Sequence, residues 1–215
     1  MTPSVTRSAR GREVVAAGRR LLEEEGVEAL TMRRLADRVG IRAPSLYKHL
    51  PDKAALEAAI IATGLEEAAN AFEVAVEGAG GGRDRGAGEA QGAGRASTDA
   101  AGAAGAGAGG GAGDGAGGAG GGLAALAAAY RRFALEHPHL YRLMNNGPLP
   151  REHLPPGLEE RTAAPVLRVA GSQALARAVW AFAHGMVMLE LDHRFSPDAD
   201  LDAAWQAGIA AFQES

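Results

Sequence analysis

With 215 residues, 47% of them apolar, the chain can bury a real core and fits one medium domain or two small ones. It has no cysteine, which excludes a disulfide framework and thiolate metal sites and agrees with a reducing cytosol. The net charge of −4 conceals an asymmetry: residues 1–53 hold 11 Lys+Arg against 7 Asp+Glu and the remainder 11 against 19, a basic head on an acidic body, as suits a protein that meets phosphate with one end only.

The first residues lack the apolar run of a signal peptide and read as a loose arm with Arg7, Arg10 and Arg12 nearby, either one that lies along a phosphate backbone or reaches a minor groove, or a plain solvated end. Val14, Ala17, Gly18, Leu21 and Leu22 then keep a helical spacing, stopped at Gly26, and Val27 and Leu30 close the core over the next two helices. Met32, Leu35, Ala36 and Val39 recur at i, i+3, i+4 and i+7, with Thr31 placed to cap the first turn and Gly40 placed to end the helix in the left-handed conformation. A second short helix opens with Pro44 in its first turn and buries Leu46 and Leu50. Pro44, Ser45 and Lys48 then lie outward, with Tyr47 and His49 on the flanks. Two short helices joined at a glycine, the second with a polar outer face, form a helix-turn-helix whose polar face suits the major groove of DNA.

These residues carry a resemblance. The run T-x-R-x-L-A-x-x-V-G-I from Thr31 to Ile41 and the run S-L-Y-K-H-L-P-D-K from Ser45 to Lys53 resemble the TetR family of bacterial transcriptional regulators. Several fixed glycine, aromatic and basic positions coincide at once, which makes the motif specific over the first quarter of the chain. Arg33, Arg42, Ala43, Ser45 and Lys48 are expected to meet base edges, Arg33 and Arg42 being suited to a bidentate bond to guanine. Thr31, Tyr47, His49 and Lys53 are expected to hold phosphates, with Pro44 on the same face.

Pro51 and Asp52 break the second helix and start a third, in which Ile61, Leu65, Ala68, Phe72 and Val76 form a stripe up to Glu77. In TetR relatives the corresponding helix is the connector that tilts when effector binds. From Gly78 to Gly122 glycine supplies 21 of 45 residues, and nothing there offsets the entropy of ordering; the stretch reads as a disordered linker without a core residue. Related chains usually join these helices by a short loop.

Leu126, Tyr130 and Phe133 restart a helix that His137-Pro138 ends, and Leu140 to Asn146 forms a short one stopped by Gly147-Pro148. After a proline-rich loop, Leu158 to Ala170 is a helix that Pro165 kinks or begins. Gln173 to Arg194 is apolar on several sides, though its most apolar part, around Val179 to Leu191, is too short and too broken by His184, Gly185 and Glu190 to span a bilayer. Ser196-Pro197 ends it, and Asp198 or Asp200 can cap a last helix bearing Leu201, Ala204, Trp205, Gly208, Ile209 and Phe212. This pair exceeds what one small domain can bury. A homodimer is therefore expected through Phe182, Met186, Leu189, Trp205, Ile209 and Phe212. Trp180-x-x-x-His184-Gly185 also resembles a signature of one C-terminal domain type found in TetR relatives.

Tyr130, Phe133, Tyr141, Met144, Trp180 and His184 are candidates for an effector pocket, the alternative being plain core, with His184 bonded to a nearby carbonyl. Catalysis finds little support: His137, His139, His184 and His193 lack H-E-x-x-H spacing, and Ser172 lacks a G-x-S-x-G elbow. The expectation is an all-α protein without metal or cofactor. A helix-turn-helix DNA-binding unit occupies 1–53, a connector 54–77, a linker 78–122, and a helical effector-binding and dimerisation domain 123–215. Its expected role is that of a cytoplasmic repressor that binds a pseudo-palindromic operator as a dimer and is released by a small apolar effector. The alternative is an architectural or protein-interaction factor without a ligand switch.

Overall fold

A computed structural model describes residues 8–81 and 116–214, all helical apart from turns and loops. The N-terminal arm with Arg7 lies outside the described residues, as does 82–115, most of the expected linker. The helices are α1 (Ala9–Glu25), α2 (Met32–Val39), α3 (Ala43–Leu46), α4 (Lys53–Gly81), α5 (Ala116–Glu136), α6 (Pro138–Asn145), α7 (Leu158–Ala170), α8 (Gln173–Leu191) and α9 (Leu201–Gln213).

Local chemistry sets the helix starts. The hydroxyls of Ser8, Thr31 and Ser172 accept from the backbone N–H three residues on, at 2.9, 3.3 and 3.2 Å, and the carboxylates of Asp52 and Asp200 do the same at 2.8 and 2.9 Å. Gly40 ends α2 at φ 70°, a conformation that side chains with a Cβ rarely adopt. Pro165 lies inside α7 and is fully buried, so it neither starts nor breaks that helix.

α4 and α5 run past both expected linker boundaries, through 78–81 and 116–122. Gly122 is buried, and a Cβ there would come within 3.0 Å of Val169 on α7. Glycine at this point lets two helices approach closely, a role that composition alone conceals.

Two apolar clusters hold the chain together. The first joins Val14, Leu21 and Leu22 of α1, Leu35 of α2, Leu46 and Leu50 to Leu56, Ile60 and Phe72 of α4, and continues into Phe133 of α5 and Leu140 of α6. The helix-turn-helix therefore shares its core with the body. The second joins Leu123, Ala134 and Tyr141 to Val179, Ala183 and Val187 of α8 and to Trp205 and Ile209 of α9. Arg131 reinforces it, reaching Glu190 at 3.0 Å and Asp202 at 2.5 Å while lying over the Trp205 ring; the Trp205 N–H donates to Glu190 at 2.5 Å.

This second cluster engages most of the residues expected at a dimer interface within the single chain. Trp205 and Ile209 are 6% and 4% exposed within a single chain. Phe182 packs edge-on against Trp205 and Phe212, and Met186 joins the same cluster. A Cβ at Gly208 would overlap the Phe182 ring, so α9 sits directly on α8 there. Of the six expected residues only Leu189, 42% exposed, faces outward. The outward face is instead poor in bulk: Ala174, Ala178 and Ala181 on α8, with Ala203, Ala207 and Ala210 on α9, are all exposed. By length and composition α8 is apolar enough to cross a membrane, but Val179, Ala183 and Val187 root it in the core.

Candidate functional site

The basic end presents one continuous polar face. Leu46 and Leu50 are fully buried, which turns Arg42, Pro44, Ser45, Tyr47 (50% exposed) and Lys48 outward, with His49 at the edge; Ala43 occupies the first turn of α3. Arg33 is exposed on α2, and Thr31 stands at that helix's N-terminus. The arginines of this unit divide into two groups. Arg34 pairs with Glu25, and Arg38 with Glu24 and Glu25, clamping α2 to the end of α1. Arg33, Arg42 and Lys48 have no ionic partner among the described residues, so their charge is available to solvent or to a ligand. Lys53 pairs with Glu57 at 3.3 Å but remains half exposed. The feature is a rigid two-helix platform carrying free cations at its rim.

A cavity of about 940 Å³ lies in the body between α4, α5, α6, α7 and α8. Leu65, Ala68 and Phe72 of α4 form one wall, and Tyr130, Phe133, Tyr141, Met144, Trp180 and His184 all line it. Phe72 stacks on Tyr130 with ring centroids 5.7 Å apart and meets Phe133 edge-on at 6.5 Å. Inside, the Tyr130 and Tyr141 hydroxyls are 2.8 Å apart, and Tyr141 reaches Nδ1 of His184 at 2.7 Å. Trp180 stacks on the other side of that imidazole, at 5.9 Å and 21°. Burial pushes the Tyr130 phenol up to about 12, pushes Tyr141 well above the ordinary tyrosine range, and holds His184 below its usual 6.5, so all three groups are neutral at pH 7.

That neutrality has a pH signature. As pH falls through about 6.5 the unfolded chain takes up a proton on His184 before the folded protein does, so the stability contributed above that value is lost in acid. His184→Asn keeps an acceptor for Tyr141 but does not titrate. The drop in melting temperature between pH 7.5 and pH 5.5 should narrow in this variant; an unchanged drop would assign the loss to other groups.

Residues 14–60 match the family described as bacterial regulatory proteins, tetR family, and residues 123–212 the one described as tetracyclin repressor-like, C-terminal domain. The chain belongs to the TetR family of transcriptional regulators. The reading unit is 49% identical over 43 residues to tetracycline repressor protein class G of Vibrio anguillarum and equally to the class A repressor from transposon 1721 of Escherichia coli. Each match spans 20% of this chain and 20% of the relative, so the likeness is confined to the head. Over the whole chain the fold is similar to that of a Rhodococcus sp. RHA1 protein of unknown function, with TM-score 0.64, 24% identity, and 100% and 98% of the two chains covered. It is also similar to a TetR variant from Acinetobacter baumannii AYE in complex with minocycline, with TM-score 0.56, 20% identity, and 94% and 92% covered. At such identities the likeness concerns the fold.

In this TetR-family regulator Arg33, Arg42, Pro44, Ser45, Tyr47, Lys48 and Lys53 are exposed, and the six expected pocket residues line one cavity. His184 bonds a tyrosine hydroxyl rather than the carbonyl that sequence alone suggests. Sequence reading missed Asn145, Thr162, Arg177 and the bidentate Arg151–Glu159 pair, 2.8 Å on both arms, all of which also line the cavity. Phe72 was legible only as part of the connector stripe. No local pattern marks these residues, because five helices distant in sequence bring them together.

Proposed function

We propose that this regulator is a cytoplasmic, ligand-responsive repressor that binds a pseudo-palindromic DNA operator as a homodimer and releases it when a small molecule enters the α4–α8 cavity. The observation that carries the reading is the platform of free cations, Arg33, Arg42 and Lys48, on a helix-turn-helix of TetR type. In this reading Arg33 and Arg42, with Ala43, Ser45 and Lys48, meet base edges, while Thr31, Tyr47, His49 and Lys53 hold phosphates. The outward alanine faces of α8 and α9 would form the dimer, since small side chains let helices pack closely, and each protomer would read one half-site.

The cavity favours this reading over a purely architectural factor. α4 carries the reading unit at Leu56 and Ile60 and walls the cavity at Leu65 and Phe72, so occupancy can bias the orientation of the reading head. At Gly64 a Cβ would come within 2.7 Å of Met144 and 2.9 Å of Leu140, so α4 and α6 meet there at close range. A molecule lying against Met144 thus presses on the connector through a packed contact.

The DNA half of the proposal is tested by selecting bound sites from random duplex DNA, followed by two variants. Lys53→Ala should weaken binding to all duplexes alike and lower the slope of log affinity against log salt by about 0.9, the loss of one phosphate contact. Arg42→Ala should relax preference at one base pair per half-site, at a cost of about 1–3 kcal/mol. A uniform loss in both variants would refute the division between positioning and reading residues.

A further inference from the structure

The cavity contains a polar relay whose direction is fixed by chemistry, and that direction specifies what a ligand must offer. The relay runs from the Tyr130 hydroxyl through that of Tyr141 to Nδ1 of His184. An imidazole nitrogen is a far stronger base than a phenol oxygen, so Tyr141 donates its single proton to Nδ1 of His184, 2.7 Å away. With that proton committed, Tyr141 can only accept from the Tyr130 hydroxyl, 2.8 Å away. A neutral imidazole that accepts at Nδ1 carries its hydrogen on Nε2. That nitrogen has no partner among the described residues and is not sealed from contact, while His184 lines the cavity. Stacking of Trp180 on the imidazole holds the ring in place. The relay therefore ends in a single oriented donor.

We infer that the ligand of this cavity is an uncharged, largely apolar molecule bearing a carbonyl-type acceptor, which takes the Nε2–H of His184 while its hydrocarbon body packs among Leu65, Phe72 and Phe133. A charged ligand head is disfavoured at this position, since the relay offers only neutral groups and Glu159 of the one nearby ion pair is already held by both arms of Arg151. Arg177 lies exposed at the rim, where it would stay in water. A pure hydrocarbon would fill the space but leave the donor unsatisfied, which is the loss that gives selectivity.

This inference rests on the cavity being the effector site, and its test separates the two. The full-length protein is titrated with acetophenone and butyrophenone, and with ethylbenzene and butylbenzene, in which methylene replaces the carbonyl; benzoate serves as the anionic arm. Long-range proton–nitrogen spectra of the free protein should place the His184 hydrogen on Nε2. The ketones should bind about tenfold tighter than their hydrocarbon partners. In His184→Leu that advantage should fall below twofold while hydrocarbon binding persists, and Tyr141→Phe, which frees the tautomer, should reduce it partly. Hydrogen on Nδ1, equal binding of ketone and hydrocarbon, tighter binding of benzoate, or no binding by any probe would each overturn the assignment. Ketones that bind through His184 without loosening an operator duplex would uphold the ligand class and refute the switch. Hydrocarbons that bind equally well and still release the duplex would do the reverse.

Discussion

Ala181→Glu combined with Ala207→Glu should convert the proposed dimer to monomers and lower operator affinity roughly a hundredfold or more. Both positions lie on the outward faces of α8 and α9, so the substitutions leave the chain's own core intact. If the alanine faces meet across a two-fold axis as proposed, a carboxylate there would face its own copy, and burial without a partner is costly. The loss at the operator has a geometric origin: two linked reading heads gain about 10²–10⁴ in avidity over one, and the gain vanishes when the link is cut. Sedimentation and gel-shift titration check the two effects. Melting temperature should stay near that of the parent chain. Charges at Trp205 or Ile209 should behave differently, lowering the melting temperature sharply because those residues are buried within one protomer. A double variant that still sediments as a dimer would move the interface elsewhere.

Leu50→Ala should cost about 2–5 kcal/mol of stability, and the loss should appear across the whole chain. Leu50 has no exposed surface and closes the helix-turn-helix against α1 and α4. Since that core continues into α5 and α6, removing three heavy atoms at the reading end weakens a unit that includes one wall of the cavity. For a chain of this size the melting temperature should fall by roughly 2–4 °C per kcal/mol. Helical ellipticity and tryptophan emission should move in one transition, the latter reporting Trp180 and Trp205 in the body. Two separated transitions, with only the first displaced, would mean that head and body unfold independently.

The reading unit was legible in the sequence because its determinants are local. Thr31, Gly40 and Asp52 act within three or four residues of themselves, and the stripe of Leu35, Ala36, Leu46 and Leu50 allows one arrangement. The aromatic and histidine residues of the cavity were legible as a group, though not their hydrogen-bond order, since Tyr141 meets His184 only after α6 packs on α8. The residues expected at the dimer face turn out to pack largely within the chain, for a physical reason. An apolar stripe records that a surface is covered, not by which chain, and the bulkiest residues, Trp205, Ile209 and Phe182, serve the protomer itself. The alanines left for a partner give hardly any hydrophobic signal. Similarly, 78–81 and 116–122 read as linker because glycine and alanine offer no pattern, yet Gly122 is selected by the proximity of Val169.

The continuous core from α1 to α6 bears on how such a regulator can acquire a new target. A head cut out at the end of the helix-turn-helix and replaced by that of a relative would bring foreign side chains against Leu56, Ile60, Leu140 and Leu143, and volume mismatches there destabilise. Specificity is more easily transplanted as a surface than as a domain. Arg33, Arg42, Ser45 and Lys48 stand clear of the core, so in the proposed reading changing them would alter which bases are met without repacking anything. Operator preference can thus drift by single steps while the ligand cavity and its connection to the head are inherited whole.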